Sequence, residues 1–293
     1  MRLKSILSFF FLALILGSFS LSVMAQDTPP VPPTNRLYLA SLTAVRYNPL
    51  GVETQNRLMY SRRLMDSTSV LFRDTYIAVG PYLKLNPAYL KVGPVVEVQP
   101  IAVFNLRAGY EFVRYFGTFG ILQSYTESDA AYSDAERADT EDNAYVTNGH
   151  HIYIEPMLQM KIGNIAARTK FGIEYWKVDL HGSDDYFYDQ TLDTLVPNET
   201  FFFTNDSDLL YMNGRLTVGL RFSGVFPGTE SSHMRLGPLF AWSFNTDDYT
   251  SFNKPTLLCI LGWYLDHPNR VGPMPYILVG FSFTSDFLNS GQN

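Results

Sequence analysis

A single cysteine, Cys259, stands in 293 residues, so no intramolecular disulfide can staple this fold. It falls in the apolar stretch 257–265 and is expected to be an inert, buried thiol. After Ala25, no uninterrupted apolar run reaches the ~18 residues a spanning helix needs, which excludes an ordinary helical membrane protein. Charged residues make up only 17% of the chain, below the roughly 25% of soluble domains. The 22 Lys+Arg stand against 28 Asp+Glu, and that acidic balance disfavours nucleic acid as a partner. There is no Gly-rich phosphate loop and no Cys/His metal spacing, so no cofactor is expected.

What is present is aromatic and exported. Phe, Trp and Tyr reach 15%. Arg2 and Lys4 precede the apolar stretch 5–16, and Val23-Met24-Ala25 forms a small-residue cleavage site before Gln26. Residues 1–25 therefore read as a signal peptide. Residues 26–35, with Pro29, Pro30, Pro32 and Pro33, read as an extended linker. Residues 36–293 remain for the folded domain.

That domain alternates. In 276–287, Ile277, Val279, Phe281 and Phe283 fall on one face, with Gly280, Ser282, Thr284 and Asp286 on the other. The same two-residue step runs through 37–47, 75–85, 89–99, 104–114, 152–162, 165–177, 212–223 and 233–245, and 257–265 is apolar on both faces. Ten strands result; adding 56–65 and 118–126 gives twelve. The expected fold is all-β, a transmembrane antiparallel barrel of ten to twelve strands with its apolar face to lipid. Two acidic segments, 126–148 and 181–207, are expected to be long solvated loops. Counted back from the tail, both fall on the periplasmic side, which conflicts with an even-stranded barrel and points to a strand hidden in 185–203 or to one merged or misread.

Lipid-facing charge is costly, so the ionisable residues of these strands are expected inside. They are Lys91, Glu97, Arg107, Glu111, Glu155, Lys161, Arg168, Lys170, Glu174, Arg215, Arg221 and Arg235. Interleaved acids and bases favour an ion-pair network filling a narrow lumen over an open selective constriction. The acidic loops are candidate sites for divalent cations, although no calcium-loop spacing occurs. Trp176, Trp242, Trp263, Tyr175, Tyr264 and Tyr115 suit an interfacial girdle. Catalysis finds little support. Ser231-Ser232-His233 are adjacent without implying a nucleophile–base pair, and His181 lies among loop acids.

The tail row Val279, Phe281, Phe283 and Phe287 resembles the C-terminal insertion signal of bacterial outer-membrane barrels. Ser285 stands where that pattern often has an aromatic, and 288–293 extend beyond it. The resemblance implies an outer-membrane location, contact with the bilayer and recognition by barrel-assembly machinery. The expected role is structural, or a narrow passive channel for small solutes, and not enzymatic. Two rivals are an outer-membrane hydrolase, needing a Ser/His or Asp/His pair at one rim, and a soluble periplasmic β-sandwich.

Overall fold

Strands with one apolar and one polar face bury neither face alone, and closing the sheet solves this when lipid covers the outside. The structure, a computed structural model, describes residues 32–270, 272 and 274–288. The signal peptide, its cleavage site and most of the Pro-rich segment lie outside the described residues.

Twelve antiparallel strands close into a barrel. In chain order they are β1 (Asn35–Tyr47), β2 (Gly51–Arg63), β3 (Tyr76–Asn86), β4 (Tyr89–Ile101), β5 (Phe104–Phe116), β7 (Val146–Ile162), β8 (Ile165–Val178), β11 (Phe201–Asn213), β12 (Leu216–Phe226), β13 (His233–Ser243), β14 (Asn253–Asp266) and β15 (Pro275–Asp286). Each pairs with its sequence neighbour, and β1 pairs with β15 to close the ring, Thr43 opposite Phe281. Three short strands, β6 (Ser124–Tyr125), β9 (Tyr186–Asp189) and β10 (Thr194–Pro197), form a separate small sheet.

One expected strand is absent from the barrel, and one barrel strand was not expected. Residues 118–126 are not a barrel strand; only Ser124 and Tyr125 are extended, and they pair with β9. The missing strand is β11, which begins inside the segment 181–207 expected to be a long loop and runs on to Asn213. With β11 in place, the two long connections, 117–145 and 179–200, lie at the end opposite both chain termini. The terminal end carries tight turns, such as those at Gly163 (φ +57°) and Gly214 (φ +56°), where a left-handed backbone suits glycine.

The outside is an apolar belt. Val79, Val96, Ile154, Leu220, Phe240 and Val279 all point outward and are exposed. Trp242 and Trp263 stand on this surface, whereas Trp176 and Tyr115 are buried inside and Tyr264 faces the lumen. Cys259 also points outward, opposite Phe240, so it is a lipid-facing thiol instead of a core one. Leu220→Arg should therefore cost about 2–4 kcal/mol of stability in lipid vesicles, because a mid-strand cation meets hydrocarbon. Urea titration of the vesicle-embedded barrel reads this, and an unchanged midpoint would argue that this face is not in lipid.

Candidate functional site: a hairpin across the bore

The connection between β8 and β11 does not stay outside. Its β9–β10 hairpin folds into the end of the bore, where Phe187, Tyr188, Thr194, Leu195 and Val196 are almost fully buried. Phe187 packs edge-on against Trp176 of β8 and Tyr115 of β5. Tyr89, Val113, Ile121, Leu122 and Phe202 complete an apolar core at that end. Ile121 and Leu122 belong to the segment that resembled a strand; they alternate poorly because both are buried in this core.

The hairpin leaves the wall at β8 and β11, which stand halfway round the ring from β1 and β2. Its tip reaches that opposite wall. Gln190 Nε2 donates to the carbonyl of Leu50 in the β1–β2 turn at 2.5 Å, and Asn86 of β3 donates to Gln190 Oε1 at 3.3 Å. Arg46 of β1 donates to the Thr191 carbonyl at 3.3 Å, and the Tyr89 hydroxyl meets Thr191 Oγ1 at 2.8 Å. The hairpin thus crosses the mouth from wall to wall.

Two buried aspartates hold it there. Asp189 accepts from the backbone amides of Thr191 and Leu192, shaping the tip, and faces Lys91 Nζ at 3.3 Å. Asp193 adopts φ +56° and is 1% exposed. Its carboxylate accepts from Arg270 (2.5 and 3.0 Å), Tyr188 (2.8 Å) and Tyr264 (3.0 Å), with His267 Nε2 at 3.2 Å. Arg270 also grips Asp134 at 2.8 and 3.0 Å. Asp134 opens the short helix α1 (Asp134–Asp139), which Ser133 and Glu136 cap reciprocally. One guanidinium therefore ties together three connections at this end. A carboxylate taken out of water needs this full set of donors, and here it has them.

These acids were expected to be solvated loop charges. The structure buries Asp189 and Asp193 at the hairpin and sets Asp206 on the lumen wall of β11, while most of the other acids of the two segments are exposed. Burial alone would raise the Asp193 carboxyl. The donors on His267 and Arg270 outweigh it and hold the group well below its ordinary value of 3.8. A depressed carboxyl stabilises the folded state above its unfolded value and loses that contribution only as pH falls through the folded one. The hairpin should stay pinned from neutral pH down past 3.8 and loosen only in stronger acid. Channel current recorded across that range checks this, and opening near neutral pH would contradict it.

Below the hairpin the lumen wall is ionic on β2 to β12. Arg107 of β5 donates to Glu97 of β4 at 2.9 and 3.0 Å and to Glu155 of β7 at 3.1 Å. Lys170 of β8 bridges Glu155 at 2.8 Å and Asp206 of β11 at 3.7 Å. Arg57 of β2 and the hydroxyl of Tyr76 also serve Glu97. Asp208 of β11 pairs with Arg168 of β8 at 2.5 Å and Arg221 of β12 at 2.7 and 2.8 Å. Most of these are directly opposed residues on neighbouring strands, where cross-strand pairing is strongest. The partners Asp206, Asp208 and Arg57 were missed by sequence reading.

A second cluster sits nearer the hairpin. Glu111 pairs with Lys84 at 2.8 Å, and His151 lies between Glu111 (3.0 Å) and Glu174 (3.3 Å), stacked on Trp176 at 4.0 Å. Arg235 stacks on the ring of Tyr276 at 3.9 Å. Lys161 and Arg215 do not join these networks: both are exposed, beside or in tight turns at the terminal rim. The inner faces of β13, β14, β15 and β1 are less charged at mid-barrel, offering Leu239, Ala241, Leu258, Leu278, Gly280 and Leu42, with Arg235, Arg46 and Arg36 nearer their ends.

Toward the termini lies a cavity of about 600 Å³. Ala40, Leu42 and Leu258, with Ser282 and Thr284 beside them, line one side, and Arg57, Arg168 and Gln55 line the other. Arg36 borders it, paired with Asp286 at 2.8 Å.

Among the described residues, the serine, histidine and acid candidates are engaged as follows. The Ser231 hydroxyl meets Thr229 Oγ1 and the Leu195 carbonyl, and His233 lies beside the Ser231 carbonyl with its ring against His267 and Tyr264. His181 stacks on Tyr145, and Asp184 takes a hydrogen bond from Ser124. The Asp193–His267 pair does converge at one rim, but it is buried and its carboxylate is consumed by the latch. Among the described residues, no group of three or more His, Cys, Asp or Glu side chains is placed to hold a metal ion.

No protein-family profile matches this chain, and no curated protein matches it. Among solved structures, a KdgM porin in complex with disordered oligogalacturonate aligns over 86% of this chain and 99% of its own, at 7% identity and a TM-score of 0.42. OccD3 (OpdP) of Pseudomonas aeruginosa aligns over 87% of this chain and 91% of its own, at 9% identity and a TM-score of 0.32. OprD of Pseudomonas aeruginosa aligns over 87% and 95%, at 8% identity and a TM-score of 0.31.

Proposed function

We propose that this chain is an outer-membrane barrel acting as a narrow passive channel for small solutes, restricted by its own inward hairpin. The observation that carries the proposal is the wall-to-wall span of residues 186–197 above a cavity of about 600 Å³. The vestibule favours a channel over a purely structural barrel, and the strut buried across the mouth favours a restricted channel over an open pore. The apolar wall facing an ionic wall suits small polar solutes with a short hydrocarbon part. The interleaved acids and bases give the lumen no strong single-sign field.

Under this reading the signal peptide 1–25 directs export, and the row Val279, Phe281, Phe283 and Phe287, on the outer face of β15 and just past its end, serves recognition by assembly machinery. Liposome swelling tests the function. Vesicles carrying the purified barrel should admit small neutral solutes slowly and exclude oligosaccharides. Impermeability to all solutes would favour the structural role, and fast entry of oligosaccharides an open pore.

A further inference from the structure

The apolar belt has two interruptions away from the strand ends. On β1 and β2, Ser41 and Thr43 face outward opposite Asn56 and Thr54. On β8 and β11, Thr169 faces outward beside Asn205 and Ser207. Elsewhere in the described belt, mid-strand outward positions carry apolar side chains, glycine, proline, Cys259, or His150, whose ring is held by the Tyr110 hydroxyl. In hydrocarbon a polar side chain needs a partner, because lipid tails offer none.

The two patches differ in how far they satisfy themselves. The β8–β11 patch is closed. Asn205 Nδ2 donates to Thr169 Oγ1 and to the Lys170 carbonyl, Ser207 donates to Asn205 Oδ1, and Thr169 and Ser207 share a hydrogen bond. The β1–β2 patch is open. Thr43 and Thr54 share one hydrogen bond, and Asn56 Nδ2 donates to Thr54 Oγ1 at a long 3.3 Å. Among the described residues, Asn56 Oδ1, its second N–H and the Ser41 hydroxyl have no partner.

We propose that the β1–β2 patch is the interface of a lateral homodimer in the membrane. A primary amide is self-complementary: across a two-fold axis each Asn56 donates its free N–H to the other copy's Oδ1. The neighbouring Ser41, Thr43 and Thr54 are small, which lets two barrel walls approach closely. The same patch on both copies satisfies the groups the monomer leaves open, and the closed β8–β11 patch stays in contact with lipid.

The test uses the full chain carrying Cys259→Ser, so that Cys259 does not form bonds of its own. In lipid vesicles, Thr43→Cys should form a disulfide-linked dimer on oxidation, whereas Thr169→Cys stays monomeric. Without added cysteines, the barrel in nanodiscs should have the mass of two copies. Asn56→Leu should lower association about tenfold, in line with the loss of two modest interchain hydrogen bonds. Heat-modifiable gel migration of each variant verifies that the barrel still folds. A monomeric mass in nanodiscs, equal cross-linking from positions 43 and 169, or a second polypeptide at the patch would each overturn the proposal.

Discussion

Arg107→Ala should destabilise the folded barrel by about 3 kcal/mol, the low end of what breaking a buried ion pair costs. The residue stands between Glu97 and Glu155 on adjacent strands and is itself largely enclosed. Removing it leaves Glu97, 8% exposed, with only the longer contact to Arg57 and neutral donors. Glu97 and Glu155 then face each other without the guanidinium that stood between them. Asp139→Ala provides the comparison. That acid ends an exposed helix, so its removal should change stability by no more than about 0.5 kcal/mol. Urea unfolding followed by heat-modifiable migration measures both. Equal midpoints would mean that the lumen charges are solvated and the interior is open water.

Asp193→Ala should have the largest effect on conduction of any single substitution in the connections. It releases Arg270, Tyr188 and Tyr264 at once and leaves His267 only the backbone carbonyl of residue 193, which frees most of the β14 side of the hairpin. The tip still holds Lys91 and Arg46 through Asp189 and Thr191. Single-channel traces should therefore change from small and quiet to flickering, with brief openings several-fold above the native level. Arg270→Ala should do the same and also loosen Asp134 and α1. Adding Asp189→Ala should lengthen the openings, because the second anchor goes. Quiet traces from a folded Asp193→Ala barrel would show that the hairpin does not move with its latch.

Much of the barrel is legible in the sequence, and the failures have physical causes. Strands such as β12 declare themselves because Leu216, Val218, Leu220 and Phe222 meet lipid while Arg221 and Ser223 meet the lumen. The strand β11 is silent because Thr204, Asn205, Asp206, Ser207 and Asp208 make both of its faces polar at mid-strand. The same holds for Thr54, Gln55, Asn56 and Arg57 in β2, which left that strand uncertain. Both concealed strands carry the outward polar patches, so alternation fails where the surface itself is unusual. The false strand at 118–126 is apolar for another reason: Ile121 and Leu122 belong to the core around the hairpin.

The hairpin was the least legible part. Nothing near Asp189 or Asp193 marks them as inward-facing, since their partners Lys91 and Arg270 are 98 and 77 residues away along the chain. An acidic connection looks solvated until the cations that neutralise it are placed beside it. The lumen charges were easier, because the cost of pointing Arg107 or Arg221 at lipid fixes their direction from local alternation alone.

The most direct test is planar-bilayer conductance of the native chain beside a variant in which residues 186–197 are replaced by a short Gly-Ser linker. If the hairpin is the resistance, native current is small and the variant carries a steady current several-fold larger through an otherwise intact barrel. A native channel that already conducts strongly, with no gain when the hairpin is removed, would contradict the account.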